Sequence, residues 1–265
     1  MKMIEATRPG GSSLNASAKA RMQRVRGEPL FVADWDNVLM VHFAVDAIPL
    51  QRDIPFELDM REGRAFVTLV AFTMREMRLA FGGRLTSWMF RPMATHDFLN
   101  VRTYVRVGRH VGIHFLAEWV SNRLAVLLGP RSFSLPYRHG RINYHNDWSA
   151  GELCGRVEDA RTGVAFAYQA ELEVGALFSE CDSGSLDQWL MERYSAFNSV
   201  CGRERFFCVW HEPWRQCKAQ VEMIDTSLLE SKWDWFRRAE HVGANYSPCV
   251  RNVWLGRPHG VNRED

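Results

Sequence analysis

Residues 100–120 read NVRTYVRVGRHVGIHFLAEWV. The opening octet alternates strictly: Val101, Thr103, Val105 and Val107 share one face of an extended strand, and Asn100, Arg102, Tyr104 and Arg106 share the other. Gly108, Arg109 and His110 supply a turn, and VGIHFLAEWV at 111–120 supplies a second strand, so the stretch predicts a β-hairpin. Upstream, RAFVTLVAFTM at 64–74 is almost continuously apolar and β-branched, as a strand buried on both faces would be. Residues 36–44 suit a strand or a short helix, and residues 46–53 a short helix capped by Asp46.

Downstream, strands are expected near 141–145, 151–159, 162–175, 204–211 and 215–225. The best helix is SLDQWLMERYSAFN at 185–198, with Leu186, Trp189, Leu190 and Tyr194 as its apolar stripe, and a shorter one is expected near 226–240. Many strands and few helices predict a β-dominated α+β fold.

The chain has 265 residues with 33 basic and 31 acidic side chains. Lysine occurs only at positions 2, 19, 218 and 232, so any mechanism that needs a lysine nucleophile has few candidates. Residues 1–28 hold all of the basic excess, are rich in Gly, Ser and Ala, and are expected to form a flexible basic tail ahead of one domain at 29–265. The body carries no basic excess, so nucleic acid is not an expected partner. Apolar runs such as 66–72 are far shorter than the roughly 18 residues of a membrane span, and no signal peptide is expected. The six cysteines form no CxxC pair and read as free thiols in a reducing cytoplasm. Self-association into a homo-oligomer is left open.

Several blocks in order resemble the domain of unknown function 2071, the YqjF-like proteins. They are Trp35-x3-Leu39-x2-His42, LQRDIPFELD, RAFVTLVAF, FLNVRTYV at 98–105, GIHFLAEW at 112–119, LPYR at 135–138, HEPW at 211–214 and VWLGRP at 253–258. The resemblance spans roughly residues 30–258. It implies the acetoacetate decarboxylase-like fold: a cone-like antiparallel β-barrel with a few peripheral helices and an interior cavity. In the acetoacetate decarboxylases themselves a Schiff-base lysine and a second lysine follow a proline about seven residues after a glycine. Here Gly129 and Pro136 keep the spacing, but Tyr137 and Arg138 follow. A phenol cannot form an imine, and a guanidinium stays protonated. The resemblance therefore implies the fold and the cavity without the decarboxylase chemistry. Lys218 reads as a solvated strand residue and Lys232 as an exposed helix residue.

The candidate ligand-binding residues are Asn100, Arg102, Tyr104, His114, Glu118, Tyr137 and Arg138. Arg102 on the polar strand face would meet either solvent or a wet interior, where it could bind a carboxylate bidentately. Tyr137 and Arg138 could hold an anion or polarise a carbonyl. His114 and Glu118, four residues apart, fall on one face of an ideal strand, but span about 13 Å, too far for one metal ion. His42, His96 and the HEPW turn read as structural, and Glu192 and Arg193 as a solvated helix face. No metal and no cofactor is expected. The expected function is binding of a small organic acid or carbonyl compound. The alternatives are a non-Schiff-base lyase- or hydrolase-like enzyme using Arg and Tyr groups, and a structural or interaction protein whose interior is filled by its own side chains.

Overall fold

The computed structural model describes residues 11–82, 88 and 90–261. The strands are β1 (Phe31–Val45), β2 (Glu57–Leu58), β3 (Ala65–Leu79), β4 (His96–Val107), β5 (His110–Val120), β6 (Tyr137–Asp147) and β7 (Glu152–Asp159). They continue with β8 (Ala165–Leu172), β9 (Ser195–Val200), β10 (Arg203–Trp210), β11 (Cys217–Asp225), β12 (Glu240–Leu255) and β13 (His259–Gly260). The helices are α1 (Gly11–Arg24), α2 (Ala47–Arg52), α3 (Arg123–Phe133), α4 (Leu186–Met191) and α5 (Ser227–Glu230). The fold is β-dominated α+β, as the many expected strands and few helices implied.

The sheet closes on itself twice. One ring of pairings runs β5-β6-β7-β8-β11-β12-β1-β3-β4 and back to β5. A second runs β12-β10-β9-β5-β4-β3-β1 and back to β12. The shared wall is β5-β4-β3-β1-β12, and it splits where two strands share one neighbour. β5 carries β9 at Ile113 and β6 at 118–120, and β12 carries β11 at 245–246 and β10 at 254–255. Pairing is antiparallel except where β6 and β9 join β5.

Because the wall has a ring on each side, both faces of its strands are buried. Leu39, Val41, Phe43, Val67, Leu69, Val101 and Val105 join one core with Leu153, Phe166 and Tyr168 of the first ring. Met40, Ala44, Phe66, Val70, Phe72, Phe98 and Tyr104 join another with Phe207, Val209, Leu190 and Trp214 of the second. This is why 64–74 lacks alternation and why Arg102 and Tyr104 are buried although their face alternates with a valine face.

Three expectations are corrected, and one helix was not expected. The segment 11–24, expected to be loose, is helical. Its Leu14, Ala18 and Met22 make an i, i+4, i+8 stripe that packs on Tyr194, Cys208 and Trp210, and Arg21 Nη2 donates to Ser195 Oγ at 2.9 Å. The helix expected over 185–198 stops at Met191, and β9 begins at Ser195. Glu192 and Arg193 are buried there rather than solvated. Glu192 accepts from Trp214 N at 3.0 Å, and Arg193 Nη1 reaches Asp59 Oδ2 at 2.8 Å, so tertiary partners end the helix that the local pattern would prolong. The segment 226–240 is a single α-turn, α5, followed by a 3-10 turn at Asp234–Arg238. Finally, α3 was not anticipated; Asn122 Oδ1 caps it, accepting from Leu124 N and Ala125 N at 2.9 and 3.2 Å.

Candidate functional site

The interior of the second ring is apolar at its ends and polar along the shared wall. On β4, Asn100, Arg102 and Tyr104 all point into it, each less than a tenth exposed. Thr68 of β3 lies opposite Arg102 in register, and His42 of β1 lies opposite Thr68. Tyr104, Thr68 and His42 form a continuous polar chain with Asn245 and Gln216. The Tyr104 hydroxyl donates to Leu190 O at 2.9 Å and lies 2.6 Å from Thr68 Oγ1. Thr68 Oγ1 is 2.9 Å from His42 Nδ1, His42 Nε2 is 3.0 Å from Asn245 Oδ1, and Asn245 Nδ2 donates to Gln216 Oε1 at 2.7 Å. Burial, then the charge of Arg102, pushes His42 down to about 3, so the imidazole is neutral and one ring nitrogen donates while the other accepts.

Arg102 is the one guanidinium in this chain of neighbours. Its Nη2 donates to Leu190 O at 3.2 Å and contacts Met40 Sδ at 3.6 Å. Among the described residues it has no carboxylate partner, and its buried Nε has no partner at all. Nearby, Asn100 Oδ1 and Glu118 Oε2 are likewise buried without partners. By contrast, the neighbouring Arg193 and Arg106 both bind Asp59 at 2.8 Å. Among the described residues, the fold therefore pairs Arg106 and Arg193 with Asp59 and leaves Arg102 without a counter-ion.

The register of β5 decides which sequence candidates share the site. Val101 pairs with Ala117 and Arg102 with Phe115, so Leu116 is an extra residue in a β-bulge. The bulge reverses the side-chain parity between His114 and Glu118. Glu118 lies opposite Asn100 and faces the Arg102 interior, whereas His114 lies opposite Thr103 on the other face. There His114 packs on Phe56, and its Nδ1 is 2.8 Å from Phe197 O. The expectation that these two share a face is overturned, because the i, i+4 rule assumes an unbroken pleat.

Tyr137 and Arg138 also separate. Tyr137 pairs with Glu118 across the parallel β5–β6 contact and packs edge-on against Phe98, centroids 5.9 Å apart. A Cβ on Gly129 would lie 3.2 Å from the Tyr137 ring Cζ and closer still to its edge, so this glycine is what lets the ring lie against α3. Burial, then Glu118, pushes the phenol well above its ordinary range. Arg138 follows on the opposite strand face and is exposed, so the pair does not form one clamp. Lys232, expected to be exposed, is half-buried. Its Nζ sits 5.5 Å from the Trp119 centroid and 5.9 Å from that of Trp233, and burial, then Arg138, pushes it down to about 8. Lys218 is exposed and pairs with Asp187 at 2.6 Å.

Sequence reasoning missed Thr68, Asn245, Asp59 and the Leu190 carbonyl, and read His42 only as structural. The available signal was a polar residue within each otherwise apolar strand at the parity of the Arg102 face. Among the described residues, no three His, Cys, Asp or Glu side chains converge as metal ligands, and no helix is long and apolar enough to cross a membrane.

The chain has the acetoacetate decarboxylase-like fold, as its superposition on solved structures of that kind shows. An acetoacetate decarboxylase of Legionella pneumophila superposes with a TM-score of 0.59 at 11% identity, covering 98% of each chain. The enduracididine biosynthesis enzyme MppR, solved with pyruvate, superposes with a TM-score of 0.60 at 12% identity, covering 90% of this chain and 92% of that one. Within that fold the chain belongs to the DUF2071 family, described as uncharacterized conserved protein, whose model matches residues 32–248. The uncharacterized protein YqjF of Bacillus subtilis (strain 168) is 28% identical over 200 residues, 74% of this chain and 79% of that protein.

Proposed function

We propose that this protein binds a small organic acid or carbonyl compound in the interior of the second ring, with Arg102 as the anion clamp. The observation that carries the reading is a buried guanidinium without an ion pair among the described residues, its Nε unpartnered. A buried unpaired cation is costly, and a ligand carboxylate would supply both the charge and two parallel hydrogen bonds. The unpartnered Asn100 Oδ1 and Glu118 Oε2 offer further polar groups in the same interior. The solved complex of MppR with pyruvate supports the reading by likeness of fold. Schiff-base decarboxylation is not part of it, because Tyr137 and Arg138 stand where the acetoacetate decarboxylases keep their lysine pair. The Tyr104 hydroxyl is engaged by Thr68 and Leu190, which favours binding over a role in proton transfer. Packing of Arg102 on Leu190 O and Met40 Sδ favours a second reading, in which the residue only secures α4.

A thermal-shift screen of acetate, pyruvate and acetoacetate separates the two. The binding reading expects a carboxylate to raise the melting temperature of the wild type and to lose that effect in Arg102→Ala. Arg102→Lys keeps the charge, loses the fork, and should respond more weakly. Equal shifts in wild type and variants, or no shift with any carboxylate, leave Arg102 a packing residue. Borohydride treatment with pyruvate should trap no covalent adduct; one on Lys218 would overturn the solvated reading of that lysine.

A further inference from the structure

The bulge at Leu116 brings a second ionisable group into the Arg102 interior. Glu118 is 3% exposed, the side-chain amide of Asn100 hydrogen-bonds it, and its Oε2 has no partner. On β4 its face carries His96, Asn100 and Arg102, and β6 brings Tyr137. On β3, the register partner of Asn100 is the apolar Val70. His96 is pushed down to about 4 by burial and is neutral, and Tyr137 is held protonated. Arg102 lies one same-face position along β4, and among the described residues no ion pair joins it to Glu118. About 7 Å of strand separates the Cα atoms of Asn100 and Arg102.

We propose that Glu118 is the proton-bearing group of the Arg102 site, and that an anion is held there only while Glu118 is a neutral carboxylic acid. The proposal rests on the anion-binding reading of Arg102 and adds its regulation. With the proton present, the interior carries the single positive charge of Arg102 and attracts an anion. The neutral carboxyl also has a hydrogen to donate to a ligand oxygen, for which the free side of the group is available. With the proton lost, Glu118 becomes the counter-ion that Arg102 lacks, and a bound carboxylate would face a second carboxylate in a desolvated space. Burial pushes Glu118 up to about 8, opposed in part by the Asn100 hydrogen bond, which places the change just above neutrality. Above that point, binding one anion takes up one proton.

The first measurement needs no ligand. Infrared difference spectra of wild type against E118Q should show the stretch of a neutral carboxylic acid at pH 7 that fades through about pH 8. The second is calorimetric titration with pyruvate at pH 6.5 and pH 9, in buffers of different ionisation heat. Wild type should take up almost no proton at the lower pH and close to one per site at the higher, with affinity falling up to tenfold per pH unit above the transition. E118Q should take up none and bind with flat affinity. No E118Q-sensitive band at pH 7, or proton uptake that survives in E118Q, overturns the assignment of Glu118. A band at pH 7 without pyruvate binding at either pH instead overturns the Arg102 anion site and the coupling with it.

Discussion

Removing one oxygen atom from the Tyr104 side chain should measure the worth of the polar chain that supports Arg102. The hydroxyl is fully buried, donates to Leu190 O at 2.9 Å and lies 2.6 Å from Thr68 Oγ1. In Tyr104→Phe the ring and its packing on Trp189, centroids 4.7 Å apart, are preserved. Leu190 O keeps its bond from Arg102, so the loss falls mainly on Thr68, whose hydroxyl is left with His42 alone. One net hydrogen bond contributes about 1 kcal/mol, and a buried polar group left short of a partner costs about 1–3 kcal/mol. The expected loss is therefore about 2 kcal/mol, or a melting-temperature drop of roughly 4–8 °C for a chain of this size. Thr68→Val should cost a similar amount. Because both variants break the same contact, the double variant should cost about 1 kcal/mol less than the sum of the two. Urea unfolding of the four proteins at pH 7 reads this directly. A loss below about 0.5 kcal/mol in Tyr104→Phe, or single losses that add within about 0.5 kcal/mol, would refute a coupled network.

Other outcomes follow from the same geometry. Asp59→Asn removes the carboxylate shared by Arg106 and Arg193, and Arg193 is only 5% exposed, so urea unfolding should record a loss of about 3–5 kcal/mol. Gly112→Ala would set a Cβ 2.6 Å from Ser195 O where β9 meets β5, costing about 1–3 kcal/mol, while Gly260→Ala, with open space around it, should be near neutral. Glu118 is raised from 4.5 to about 8 in the fold, so below pH 4.5 both states hold its proton and its contribution is fully present. That contribution is lost as pH rises through about 8, by at most about 5 kcal/mol, and pH-dependent unfolding of E118Q should lack this slope.

The hairpin at 100–120, the doubly buried strand at 64–74 and the capped turn at Asp46 were legible because each depends on local periodicity or a local cap. Arg102, Tyr104 and Asn100 were legible as one face for the same reason. His114 was misplaced because one extra residue at Leu116 inverts parity, and nothing in HVGIHFLAEWV marks that residue as the bulge. Glu192 and Arg193 read as solvent-facing because their partners, Trp214 N and Asp59, lie 22 and 134 positions away in the chain.

The sequence alone determined that the chain is strand-rich, that its strand at 64–74 is nearly continuously apolar, and that no lysine stands at 137 or 138. These are properties of residue type and alternation, which survive any folding of the sheet. Tertiary structure alone decided which polar groups meet: Glu118 beside Asn100, His42 against Thr68, and Lys232 over Trp119. Closure of two rings on one wall turns an ordinary polar strand face into a desolvated interior. That burial is what keeps His42 neutral, raises Glu118, and leaves Arg102 a cation without a counter-ion among the described residues.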